Sequence, residues 1–295
     1  MQYVIGTRGS KLALFQTNEV CRMIYDKAPE VNLEIEIVKT LGDRKPDLNL
    51  LTSESKGIFC SDIEKALING EIDLAVHSIK DLPGFLPDGL VLAAYLERED
   101  PREVLVSREG LKLMELPVGA RIGTSSVRRL IQLRNKRPDL VYLPIRGNVE
   151  TRIHKVMTGD YEATILALAG IRRLGLEEMI SEYFPATEII PAPGQGCIGV
   201  EVREKDGKLR ELLGTINHEA TAAQVLAERT FLREIGGNCE TAAGIYSQIR
   251  QGMLELTGLS GKADGQLKKA FVYGAPDEPE ALGIELAKRL LETGS

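Results

Sequence analysis

The stretch Val4–Gln16, VIGTRGSKLALFQ, reads as a short apolar strand that turns at Gly6 and opens a helix after Ser10, and Arg121–Leu133, RIGTSSVRRLIQL, repeats the plan. In both, Ile-Gly-Thr precedes hydroxyl and basic residues at a helix start. Glycine permits the sharp turn, and hydroxyls beside the free N–H groups of a first helical turn suit an anion. Ser and Thr at such positions are more often plain caps, so the echo speaks first for architecture. Two similar α/β lobes are its simplest reading.

Outward from the first copy, Leu12, Phe15, Val20, Met23 and Ile24 recur at helical spacing, with Ser10 as N-cap. NLEIEIVKT, residues 32–40, alternates as a strand, with Leu33, Ile35 and Ile37 on one face and Glu34 and Glu36 on the other. A helix is expected over Phe59–Ile68, then a buried strand, IDLAVHS. Strands alternating with helices imply βαβ units on mostly parallel sheets.

A chain of 295 residues with 43% hydrophobic content supports two or three domains with real cores. Cys21, Cys60, Cys197 and Cys239 show no CxxC spacing, so neither a disulfide framework nor a metal site is indicated, and a reducing cytoplasm fits. The N-terminus lacks a signal-peptide pattern and no apolar run spans a bilayer, so a soluble, unexported protein with no membrane partner is expected. The net charge of −6 argues against nucleic-acid binding. From Arg121 to Lys155, however, nine Lys or Arg face two acids, a local +7 that leaves −13 elsewhere. A basic region in an acidic chain points to a specific anionic ligand.

Arg128 and Arg129 fall in the first turn of a helix, where the macrodipole disfavours positive charge, so a compensating anion is expected there. LPIRGNVETR, residues 143–152, puts Arg146 at a strand end, Gly147 at a bend, Asn148 at a cap and Arg152 in the next helix. These four arginines are expected to meet carboxylates of a ligand, whereas Arg134 and Arg137 are expected in surface ion pairs. AVHSIKDLPG, residues 75–84, ends a strand in His77, Ser78, Lys80 and Asp81, where open α/β sheets bind ligands. Asp81 before Leu-Pro also suits a turn, and His77 reads as a packed, hydrogen-bonded residue rather than a base. On the residues alone, a carboxylate-binding protein and a thiol-dependent hydrolase both stay open, although the hydrolase lacks an evident base for Cys239.

IGTRGSKLALFQ, KGIF, AVHSIKDLP, IGTSSVRR, IRGNVETR, PAPGQGCIGVE and the late glycine-rich Cys239 loop occur in the order and spacing of one family. Over nearly its whole length the chain resembles porphobilinogen deaminase, also called hydroxymethylbilane synthase. The resemblance implies an α/β fold of two periplasmic-binding-protein-like lobes, each with a mostly parallel sheet, and a small α/β third domain. Domain 1 would comprise residues 1–96 and 197–216, domain 2 residues 101–191, and domain 3 residues 219–295. Domain 3 would begin with the helix EATAAQVLAERTFLREIG and add two strands and a closing helix, EPEALGIELAKRLLE.

The implied activity is condensation of four porphobilinogens, with loss of ammonia, into hydroxymethylbilane for tetrapyrrole and heme biosynthesis. The implied cofactor is a covalent dipyrromethane on Cys239 through a thioether. Cys21, Cys60 and Cys197 read as small buried hydrophobes. Asp81 matches the family's catalytic aspartate. Lys80, Thr124, Ser125, Ser126, Arg128, Arg129, Arg146 and Gly147 match cofactor-binding positions. Arg8, Ser10, Lys56, Arg146, Arg152 and Gln195 match substrate-binding positions, no metal is implied, and a monomer is expected. Around the cysteine the chain departs from the family pattern, with Asn238 in place of Gly and Ala242 in place of Pro. Asn tolerates the left-handed backbone that glycine supplies, so the bend is expected to survive.

Overall fold

The computed structural model describes residues 1–40, 60–236, 241–262 and 266–292. The chain divides into two compact units, Met1–Glu99 with Gly196–Val225, and Asp100–Gln195 with Leu226–Ser295.

In the first unit β1 (Gln2–Thr7) leads into α1 (Lys11–Lys27), and β2 (Asn32–Ile37) pairs parallel to β1. Ser10 caps α1 as expected, its Oγ accepting from the Ala13 N–H at 3.2 Å. The buried face of α1 is Gln16, Thr17, Val20, Cys21 and Ile24, while Phe15 is exposed. Beyond residue 59 follow α2 (Ser61–Asn69), β3 (Leu74–Ser78) and β4 (Leu90–Tyr95). The alternation of residues 32–40 does form a strand, but β2 lies at the sheet edge and leaves Ile35 and Ile37 exposed.

In the second unit β5 (Glu103–Ser107), β6 (Arg121–Gly123), α3 (Val127–Lys136), β7 (Val141–Leu143), α4 (Val149–Met157), β8 (Ala163–Ala167), α5 (Leu168–Arg173) and β9 (Glu182–Tyr183) follow one another. The sheet order is β7-β6-β8-β5-β9, with β7, β6 and β8 parallel and β5 antiparallel to both its neighbours.

The chain then re-enters the first sheet as β10 (Ile198–Arg203), antiparallel between β3 and β4, which completes the order β2-β1-β3-β10-β4. In each five-stranded sheet one strand therefore runs against the other four, at the same place in the order. The repeated Ile-Gly-Thr falls on equivalent strands: Gly6 pairs with Ala75 on β3, and Gly123 pairs with Thr164 on β8. A Cβ at either glycine would lie within 3 Å of an isoleucine Cδ1, Ile72 at 2.2 Å and Ile145 at 2.8 Å. Close packing against these isoleucines, rather than a left-handed turn, favours glycine there.

After α6 (Gly207–Gly214) and α7 (Glu219–Glu234) comes an antiparallel meander of β11 (Thr241–Arg250), β12 (Met253–Lys262) and β13 (Leu267–Gly274), and then α8 (Pro279–Glu292). Phe231, Ile245, Leu254, Leu256, Leu286 and Leu290 form its core. Three strands stand where two were expected. The alternation of β11 is blurred by small residues, TAAG, and its link to β12 is only the two-residue turn Gln251-Gly252, with φ of 51° and 78°.

Candidate functional site

In the first unit the strand ends converge on an open pocket lined by Arg8, Ser10, Leu12, Ala13, Gln16, Cys60, Val76, His77, Ser78 and Asp81. It lies beyond the carboxyl ends of β1 and β3, where the βα turns leave backbone N–H groups and side chains facing outward. Gln16 fixes one wall, with Nε2 donating to Ser78 Oγ at 2.8 Å and Oε1 accepting from it at 3.1 Å. His77 is buried with Nε2 3.0 Å from Glu201 Oε2, the packed and hydrogen-bonded state expected of it. Asp81 ends a one-turn 3-10 helix and is exposed, and its carboxylate makes no hydrogen bond or ion pair among the described residues. Lys80 beside it is also exposed.

The thiol of Cys60 donates to the Asp81 carbonyl at 3.4 Å. Burial, reinforced by the negative charge of Asp81, pushes that thiol well above its ordinary range, so it stays protonated and inert. Cys21 and Cys197 are likewise buried thiols outside any disulfide, as read from the sequence. Lys56, Asn238 and Cys239 lie outside the described residues.

In the second unit the end of β6 is tied internally. Ser125 Oγ donates to the Ile145 carbonyl at 2.9 Å, Thr124 Oγ1 accepts from the Ser126 N–H at 3.2 Å, and Ser126 Oγ caps α3. Gly147 has φ of 112°, a conformation that strains any side chain, and the Cβ of another residue would come within 2.6 Å of Thr151. Asn148 caps α4, accepting from the Thr151 N–H at 2.9 Å.

The arginines sort differently from expectation. Arg128 and Arg129 are both buried, and the anion that compensates them belongs to the protein: Glu103, fully buried on β5. Arg128 Nη2 reaches Glu103 Oε1 at 2.6 Å, and Arg129 reaches both oxygens, at 3.0 and 2.7 Å. The Ile190 and Ile165 carbonyls take a further N–H from each. The two guanidiniums outnumber their carboxylate, so the cluster keeps one net positive charge.

Arg137 is a second correction, because it is buried rather than on the surface. It pairs with Asp139 at 2.8 and 2.7 Å and donates to the Leu113 and Leu116 carbonyls at 2.7 and 2.9 Å. Arg134 is exposed. Arg121 is spent on Glu162, whose carboxyl its guanidinium holds down to about 2. Lys136 pairs with Glu188 at 2.7 Å.

What remains of the basic run gathers at the start of α4. Arg146 lies three residues past β7 rather than at its end, half-buried, and its guanidinium has no partner among the described residues. Arg152 Nε donates to the Gly147 carbonyl at 2.8 Å, and Lys155 Nζ to the Arg146 carbonyl at 3.3 Å. Gln195 is 1% exposed and its Nε2 donates to the Pro101 carbonyl at 2.7 Å.

Glu103, Glu201 and Gln16 escaped the sequence reading. The signal for the first two was a single acid in an apolar strand, REVLVS and IGVEVR, a placement that burial tolerates only with a partner.

Each unit taken by itself carries a group suited to part of an anionic pyrrole chain. Arg146 offers an unspent guanidinium to carboxylates, and Asp81 an unspent carboxylate to pyrrole N–H groups. Residues 3–211 match the family model described as porphobilinogen deaminase, dipyromethane cofactor binding domain, and residues 222–292 match that of the porphobilinogen deaminase C-terminal domain. The porphobilinogen deaminase of Syntrophomonas wolfei is 47% identical over 98% of this chain and 95% of its own. That of Carboxydothermus hydrogenoformans is 45% identical over 100% of this chain and 95% of its own. A periplasmic binding protein of Salmonella typhimurium with high arginine specificity aligns at 12% identity and a TM-score of 0.42, over 79% of this chain and 97% of that one, too distant to bear on the site.

The chain belongs to the porphobilinogen deaminase family. Its activity is that of a transferase forming hydroxymethylbilane in tetrapyrrole biosynthesis, and its cofactor is dipyrromethane. No described helix is long and apolar enough to cross a membrane.

Proposed function

We propose that Cys239 anchors the dipyrromethane through a thioether and that Asp81 is the carboxylate on which the condensation of four porphobilinogens depends. The observation that carries this reading is the Asp81 carboxylate, unpartnered among the described residues at the ends of β1 and β3, with Arg8 and Ser10 in the same pocket. Dipyrromethane, when bound, supplies a primer with a free pyrrole carbon. Asp81 accepts pyrrole N–H groups and stabilises the positive charge that develops as each ammonia leaves, with no reorganisation of its own position. Arg8, Ser10, Lys56 and Arg152 bind substrate carboxylates. Lys80, Thr124, Ser125, Ser126, Arg146 and Gly147 hold the cofactor, with Arg146 as the direct ion-pair donor. Arg128 and Arg129 contribute the net positive charge they retain beside Glu103, and Gln195 steadies the crossover at Pro101.

The domain division 1–96 with 197–216, 101–191 and 219–295 belongs to the same proposal, supported by three sheets that each carry an apolar cluster. The enzyme works as a cytoplasmic monomer without nucleic acid. The acidic net charge and the three buried cysteines outside any disulfide support this.

Intact mass spectrometry tests the anchor. Wild type should carry an adduct equal to two deaminated porphobilinogen units, and Cys239→Ser should lack it. An unchanged adduct in Cys239→Ser would overturn the assignment, while Cys21→Ser and Cys197→Ser should keep it.

A further inference from the structure

The buried run Ile198–Val202 of β10 holds one charged residue, Glu201, which is 0% exposed. A carboxylate in that position costs several kcal/mol unless it is compensated, and an apolar residue would hold the sheet at least as well. Its Oε2 lies 3.0 Å from His77 Nε2, whereas its Oε1 is buried without a hydrogen-bond partner among the described residues. Among those residues it forms no ion pair with Lys or Arg. Glu201 is therefore committed to one task, orienting the His77 ring. With Nε2–H donated to the carboxylate, Nδ1 carries the lone pair, and His77 has no second hydrogen-bond partner among the described residues. His77 lines the same pocket as Arg8, Ser10 and Asp81. Cys60, which caps α2 in the same pocket, is held as the neutral thiol.

We propose that His77 is the proton acceptor of this pocket, with Glu201 as its positioning residue. The inference rests on the reading of the Asp81 pocket as the reaction site. In each condensation the incoming aminomethyl group enters as its ammonium, its C–N bond breaks, and nitrogen leaves with the electron pair as ammonia. A carbon–carbon bond forms, and the ring carbon that forms it sheds one proton. His77 Nδ1 takes that proton, and the resulting imidazolium is stabilised by the buried Glu201 carboxylate. The proton then passes to the departing ammonia, which leaves as ammonium, and the imidazole is restored.

The chain has three histidines, so His77→Gln assigns the His77 ring in nitrogen-15 NMR spectra of the cofactor-bearing protein. Wild type should show Nε2 protonated and Nδ1 bare, and Glu201→Gln should convert this to a mixture of tautomers. In single-turnover ammonia release, His77→Gln and Glu201→Gln should each slow the rate on the order of 10²-fold with KM little changed. A wild-type His77 protonated at Nδ1, or a His77→Gln variant releasing ammonia at the wild-type rate, would overturn the proposal. Asp81→Asn, measured alongside, locates such a failure. If it is slow while His77→Gln is normal, only the role of His77 falls; if both are normal, the pocket reading falls with it.

Discussion

Glu103 holds Arg129 through two contacts, Nε to Oε1 at 3.0 Å and Nη2 to Oε2 at 2.7 Å, with the carboxylate fully buried. The same carboxylate takes Arg128 at 2.6 Å. Removing it leaves two buried guanidiniums without a counter-charge, a loss of about 3–5 kcal/mol for a broken buried pair. Glu103→Gln should therefore lower the urea midpoint strongly, and a midpoint within error of wild type would show that the cluster is not structural.

Arg137 gives the opposite prediction from its first appearance in a run of surface-like charges. Arg137→Leu orphans the Leu113 and Leu116 carbonyls and strips Asp139 of its partner. Thermal unfolding should show a loss of about 2–4 kcal/mol, while exposed Arg134→Leu should stay within about 0.5 kcal/mol.

Arg146 should separate binding from stability. Its guanidinium has no internal partner among the described residues, so Arg146→Leu should leave the unfolding midpoint unchanged. Substrate or cofactor binding should weaken by about 1.5–3 kcal/mol, the range for a hydrogen bond to a charged group. Equal losses of binding and stability would place Arg146 in the framework instead.

Glu162 predicts a pH dependence of stability. Its carboxyl is lowered from 4.5 to about 2, chiefly by the hydrogen bond from Arg121, so the folded state binds its proton less readily than the unfolded chain. That contribution is complete above the unfolded value and is lost as pH falls from about 4.5 toward 2. Denaturation midpoints across this window should fall less steeply in Glu162→Gln than in wild type, and parallel curves would refute the assignment.

The repeated Ile-Gly-Thr, the capping Ser10 and Asn148, and the strand into His77 were legible because each is a local pattern with a local cause. The partners of the arginines were not legible. Glu103 lies 25 and 26 residues from Arg128 and Arg129, and only the sheet order brings β5 beneath α3. Sequence spacing could show that positive charge was concentrated, but not that much of it is answered internally. For the same reason Arg137 read as exposed, since its two carbonyl partners lie 24 and 21 residues upstream. The third strand of the small sheet was missed because β11 opens with small residues that carry little β signal.

The most direct test of the account is single-turnover ammonia release by Asp81→Asn, in protein whose intact mass shows the normal adduct. Asn keeps the shape of the side chain and removes the charge, so binding should persist while release slows by at least about 10²-fold. Asp81→Glu should fall between the two. Release by adduct-bearing Asp81→Asn at the wild-type rate would contradict the account, leaving Asp81 a turn residue before Leu82 and Pro83.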